Sequence, residues 1–235
     1  MKVEFHCHTD RYSQCSSIPP EELVAMAEAA GYEALFITDH NKIWPNTELD
    51  ELRSLSDRVL IFPAIEITLA DRTDVLVLGA EDEVYENLDQ PHDVLAQASE
   101  DGLLTVVAHP FRWAETLPDY CAAMDAIEIH TCNHSVPEHL DKARAYAEEH
   151  HLAPVYSGDS HGLNFMNKFW LETTTSFETA QDFRQLIVSG QYENRKREFS
   201  MPLPPPDKIA SMSDLSDEDR NALVQPPAEL GIPGI

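Results

Sequence analysis

The sequence predicts an α/β fold, a distorted barrel of about seven β/α units similar to a TIM barrel. Three observations carry this reading. Short apolar, β-branched runs recur along residues 1–200, most of them are separated by helical text, and several are apolar throughout rather than alternating. Continuously apolar strands are buried on both faces, which implies parallel strands covered by helices. A chain of 235 residues can bury one large core of this kind.

The elements follow in order. "VEFH" (3–6) is the first strand, and "PPEELVAMAEAAGY" has prolines at its start, acids in its first turn and a glycine stop, as a helix requires. "ALFIT" (34–38) and "VLIFPAIEIT" (59–68) are the second and third strands. "DVLVLG" (74–79) follows with little room for a helix, so the barrel is expected to be irregular over 59–80. The helix "PHDVLAQASEDG" leads to "LLTVVAH" (103–109), and "DAIEIHT" (125–131) is joined by the helix "VPEHLDKARAYAEEHH" to "APVYSGD" (153–159). "KFWLETTT" reads as a further strand and "TAQDFRQLIVSG" as a last helix. Proline cannot continue a helix or a central strand, so "SMPLPPPDK" places the edge of the barrel domain, 1–200, near Met201. The acidic, proline-containing tail, 201–235, reads as disordered or laid over the surface.

Charge narrows the partners. Lys and Arg total 16 against 42 Asp and Glu, a net charge of −26. Such a field repels nucleic-acid backbones and anionic membranes, so neither a long nucleic acid nor a membrane is expected. No apolar run approaches a membrane span and no signal peptide precedes the first strand, so a cytoplasmic location is expected. Cys7, Cys15, Cys121 and Cys132 show no CxxC spacing and read as free thiols.

Polar residues gather where the strands end. The first strand closes on His6 and His8, which face one way because side chains alternate across a strand. The second ends in Asp39 and His40, the third carries Glu66, the fourth begins at Asp74, the fifth ends at His109 and the seventh at Asp159 and His161. The loops at that end of a parallel barrel build its active site. Burying so many ionisable groups together without a cation would cost several kcal/mol per group. Metals remove the conflict by favouring carboxylates and neutral imidazoles, and the mixture of N and O donors suits two or three ions of Zn, Mn or Fe.

In that order and spacing "FHCHTDRYS", "ITDHN", "AIEIT", "AHPFR" and "SGDSH" resemble the polymerase and histidinol phosphatase (PHP) family of metal-dependent phosphoesterases, over roughly residues 1–200. The resemblance implies a distorted seven-stranded barrel around a trinuclear metal site, with His6, His8, His40, Glu66, His109, Asp159 and His161 as ligands. Two positions depart from the family's commonest pattern. The ligand after the HxH motif is Asp10, Ser13 or Cys15, and Asp74 stands where many members have a histidine. Glu128 and His130 share a face of the sixth strand, either behind the ligands, as proton donors, or as hydrogen-bonded structural groups. His92, His134, His139, His150 and His151 read as surface, and Tyr12 and Asn41 as neighbours of the entrance.

The expected chemistry is hydrolysis of a phosphate ester in a small phosphorylated metabolite or nucleotide. A hydroxide bridging two metals is the expected nucleophile, since metal binding can lower the pKa of water to about 7. Glu66 is the candidate bridging carboxylate. Arg112 is the candidate clamp on the phosphoryl oxygens, its alternative being a surface ion pair. His130 or a metal-bound water is the candidate acid for the leaving group. An exonuclease acting on oligonucleotides is the alternative activity, and a non-catalytic metal module a third reading.

Overall fold

The computed structural model describes residues 1–132 and 136–197 together with position 213. Among the described residues nine strands form one sheet in the order β7-β6-β5-β4-β3-β2-β1-β8-β9. The first five are β1 (Lys2–Cys7), β2 (Ala34–Ile37), β3 (Leu60–Thr68), β4 (Asp74–Leu78) and β5 (Leu104–Val107). The others are β6 (Ala126–His130), β7 (Ala153–Tyr156), β8 (Phe169–Thr173) and β9 (Tyr192–Lys196). Five α-helices accompany them among the described residues: α1 (Pro20–Ala29), α2 (Asn46–Arg53), α3 (Pro91–Asp101), α4 (Pro137–His150) and α5 (Ala180–Val188). Proline opens α1, α3 and α4, where its missing N–H costs nothing. A reciprocal capping box between Thr179 and Asp182 opens α5.

The all-parallel expectation is corrected at the fourth strand. β1, β2 and β3 pair in parallel, as do β5, β6 and β7, but β4 is antiparallel to both β3 and β5. The segment 69–73 is long enough for a turn only, whereas a parallel crossover needs roughly a dozen residues or more. β4 therefore runs backwards, and its first residue, Asp74, lies opposite Thr68 at the end of β3. That reversal brings Asp74 to the rim where the parallel strands end.

Closure is split between two rims. At the rim where β1 ends, the backbone beyond β7 pairs with it directly: His8 N–H donates to Ser160 O at 3.0 Å and Ser160 N–H to His6 O at 3.3 Å. At the opposite rim β8 and β9 are inserted, β8 antiparallel to the start of β1. There β9 reaches β7 through side chains, with Asn194 accepting from Tyr156 N–H at 2.9 Å and donating to Pro154 O at 2.7 Å. Glu4 fills the fork between the rims. Its Oε1 accepts from Gly158 N–H at 2.9 Å and His6 N–H at 3.2 Å, replacing strand pairing with a side chain. A Cβ at Gly158 would collide with Glu4 Oε2 and Ser160 Oγ, so glycine is needed there for the close approach.

Phe36, Phe62, Phe177 and Phe183 pack ring against ring and fasten α5 to β2 and β3. On the outer side, Leu23 and Val24 of α1 and Leu49 and Leu52 of α2 share a buried cluster with Leu35 and Ile37. No helix among the described residues is long and apolar enough to cross a membrane. The domain edge placed near Met201, the tail apart from Ser213, and His134 lie outside the described residues.

Candidate metal centre

At the rim closed by β1 and the segment after β7, the sequence-predicted donors converge. His6 and His8 point into one space, their Nε2 atoms 3.1 Å apart. Glu66, buried on β3, lies between several imidazoles. Its Oε2 is 3.2 Å from His6 Nε2, 3.0 Å from His8 Nε2 and 3.2 Å from His40 Nδ1, while Oε1 is 2.9 Å from His109 Nε2. Asp159 Oδ1 is 3.4 Å from His6 Nε2, 3.5 Å from His8 Nε2 and 3.3 Å from His161 Nδ1. Donor atoms group within 4.8 Å of one another as His6–His8–Glu66, His6–His109–Asp159, His8–His40–His161 and Glu66–Asp74–His109. All eight candidate ligands are in these groups, with His6, His8, Glu66 and His109 each in two of them.

Without a cation the cluster balances charge by protonation. Burial pushes the His6 imidazole down, but the carboxylates of Glu128, Asp159 and Glu66 outweigh it and hold its pKa well above the ordinary value. His8, buried but bonded to Asp159 and Glu66, is raised to about 9. Glu66 and Asp159 are held well below the carboxylate range despite burial, chiefly by the His6 charge. His161, desolvated and beside His8, is lowered to about 4, and burial lowers His40 as well. Asp74 is raised by desolvation and by the charge of Glu66. A divalent cation supplies the charge that these protons otherwise provide, so the donor set fits metal ions.

Groups behind the donors fix their orientation. Glu128 Oε1 is 2.7 Å from His6 Nδ1 and accepts from the Ser157 hydroxyl, while its Oε2 accepts from His109 N–H at 2.7 Å. Asp39 is turned away from the cluster. It accepts from Thr9 N–H at 2.7 Å, from Thr9 Oγ1 at 2.6 Å and from Trp44 Nε1 at 2.8 Å, tying the end of β1 to the loop that carries His40. Of the three candidates after the HxH motif, Ser13 is the buried one. Its Oγ accepts from His40 N–H at 3.0 Å and lies 3.3 Å from His8 Nδ1, whereas Asp10 and Cys15 are exposed. His109, Phe111 and Asp159 all have positive φ (28°, 66° and 46°), a left-handed backbone that non-glycine residues adopt at a cost.

Arg112 reaches the cluster, with Nη1 3.8 Å from Asp159 Oδ2. His130 does not. A register shift between Glu128 and His130 interrupts the alternation of β6, so sharing parity with Glu128 does not give His130 the same surroundings. Its ring stacks on Phe169, meets Tyr156 edge-on and lies 3.1 Å from Arg144 Nη2. The candidate acid for the leaving group thus stands among these side chains rather than among the metal-type donors. Tyr12 donates to Glu48 and packs edge-on against Trp44, and Asn41 accepts from Thr68 N–H, so both brace loops of this rim. Sequence reasoning missed Glu4 and Ser157. A buried acid at the start of an apolar strand was the available signal for Glu4, and nothing marked Ser157 apart from its place in "VYSGDSH".

A barrel whose strands deliver histidines and carboxylates to one rim is the arrangement that the motifs imply, and the comparisons identify its family. The PHP domain matches residues 4–149, and the chain belongs to that family. Among solved structures, PsfC from Pseudomonas syringae is 21% identical over 83% of this chain and 91% of its own, with a TM-score of 0.62. A two-domain protein of Bacteroides vulgatus, containing a predicted PHP-like metal-dependent phosphoesterase, is 15% identical over 83% of this chain and 64% of its own, also at 0.62. An amidohydrolase from Chromobacterium violaceum, solved with bound sulfate and no metal, is 15% identical over 68% of this chain and 88% of its own, at 0.52. No curated protein matches the chain.

Proposed function

We propose that this chain hydrolyses the phosphate ester of a small phosphorylated metabolite or nucleotide. The observation that carries the reading is the meeting of eight metal-type donors with one arginine at a single rim. When bound, divalent ions supply Lewis acidity and water of lowered pKa. His6, His8, His40, Glu66, Asp74, His109, Asp159 and His161 would hold them as two or three ions of Zn, Mn or Fe. Glu66, touched by imidazoles on both oxygens, is the carboxylate suited to link two positions.

The chain's own contribution beyond its ligands is Arg112. Its guanidinium carries a fixed positive charge and a fork of donors that matches phosphoryl oxygens. Glu128 keeps His6 Nδ1 occupied, so Nε2 is the nitrogen presented to the cluster. Low pKa values leave His40 and His161, the more exposed imidazoles, neutral and able to donate a lone pair at pH 7.

The net charge of −26 favours a small substrate over a polymer. A polyanion meets the repulsive field along its length, whereas a small ester meets the local potential of the rim. The test is kcat/KM of the Mn- or Zn-loaded protein for a mononucleotide, a short oligonucleotide and a long strand at two ionic strengths. The mononucleotide should be preferred at both, with little effect of moderate salt. If the long strand is the best substrate at both, the exonuclease reading replaces this one.

A further inference from the structure

Trp44, Trp113 and Trp170 differ sharply in their surroundings. Trp44 and Trp170 are each about 2% exposed or less, whereas Trp113 is 72% exposed, in the loop that follows β5. An isolated apolar side chain at a surface needs no explanation. This one has a particular neighbour. Its ring lies against the Arg112 guanidinium, with the central carbon 4.9 Å from the ring centroid, and the same guanidinium reaches 3.8 Å from Asp159 Oδ2. The loop is held in place from behind. Phe111 is buried, packs edge-on against Tyr146 of α4 and has a left-handed backbone immediately before Arg112. The cluster is open on this side, where His40, His161 and Arg112 are partly exposed.

We infer that Trp113 is a stacking platform for the leaving group, and that the substrate is a nucleoside monophosphate. This rests on the phosphoesterase reading above and narrows it. An arginine holding the phosphoryl group places the indole one guanidinium away from the scissile bond. A ring separated from the phosphate by a sugar suits an indole set beyond the clamp, and every nucleobase offers a π-face to it whatever its hydrogen-bonding pattern. The stacked guanidinium holds the indole beside the phosphate clamp, while Arg112 itself is anchored by Asp159 and keeps its place without the indole.

The test compares AMP with ribose 5-phosphate, the same ester without the base, on Mn-loaded wild type, Trp113→Ala and Trp113→Phe. Wild type should favour AMP through KM. Trp113→Ala should raise KM for AMP by roughly tenfold, the scale of one base–aromatic stack, and leave ribose 5-phosphate and metal content unchanged. Trp113→Phe should restore most of the preference. Binding is read separately with non-hydrolysable phosphonate analogues of the two esters. The AMP analogue should quench tryptophan fluorescence in wild type and not in Trp113→Phe, because the remaining indoles are buried. Equal KM values for AMP in wild type and Trp113→Ala, or a quench that survives in Trp113→Phe, overturns the platform. If neither ester is hydrolysed but the AMP analogue alone quenches through Trp113, the platform stands and the hydrolytic reading fails.

Discussion

His6 Nδ1 lies 2.7 Å from Glu128 Oε1, and the opposite nitrogen of the same ring faces Glu66 at 3.2 Å. One carboxylate thus orients the imidazole while another shares its coordination space. Removing such an orienting group costs roughly 10- to 100-fold in metal affinity. Glu128→Gln should weaken metal binding within that range, and competition against a chelator of known affinity measures it. Unchanged affinity would mean that packing alone orients His6.

Proton release follows from the charge balance of the rim. His8, ordinarily near 6.5, is raised to about 9, and His6 is also raised, so both imidazoles carry protons at pH 7 in the metal-free protein. A metal ion must displace those protons to reach the nitrogens. Affinity should therefore rise as pH rises towards about 9. Calorimetric titration at pH 7 in buffers of different ionisation heat should show at least about one proton leaving as metal binds. No net release contradicts the assigned protonation.

For Arg112 the expected loss lies in the chemical step. Arg112→Ala should lower kcat/KM for a phosphomonoester by about 2–4 kcal/mol, the scale for removing one donor to a developing oxyanion. Metal content should not change. Normal kinetics in this variant would leave Arg112 as an ion-pair partner of Asp159 only.

Glu4 makes stability depend on pH. Burial raises its pKa from 4.5 to about 7, so its favourable neutral form is fully present below 4.5 and is lost as pH rises through 7. The shift corresponds to a stability loss on the order of 3 kcal/mol at high pH. Glutamine keeps an acceptor for Gly158 N–H and His6 N–H and cannot ionise. Thermal unfolding of the metal-free protein at pH 5 and pH 8.5 should show a smaller fall in Tm for Glu4→Gln than for wild type. Parallel falls would mean that the carboxyl does not ionise in place.

Much of this rim was legible because its ligands follow directly from apolar runs. His6, His8, Glu66 and Asp159 each sit at a fixed distance from a strand that period and composition reveal. Asp74 was legible for the same reason, because the segment 69–73 leaves room only for a turn. The surroundings of His130 were not legible, because a local register shift overrides parity and no residue type announces it. α2 and β9 went unread for different reasons. "NTELDELR" buries only Leu49 and Leu52, and "YENRK" is an edge strand without an apolar run, held by its pairing with β8. Long-range closure, such as Ser160 against His6 and His8, depends on tertiary contacts that sequence periodicity does not encode.

Metal content measured together with turnover tests the central claim most directly. Elemental analysis of the purified protein should find more than one transition-metal ion per chain, with phosphomonoester hydrolysis that a chelator removes and Mn or Zn restores. His6→Ala and Asp159→Ala should both lower that number and abolish hydrolysis. Wild type that is active while carrying no metal, or variants that lose neither metal nor activity, would contradict a metal-dependent site at this rim.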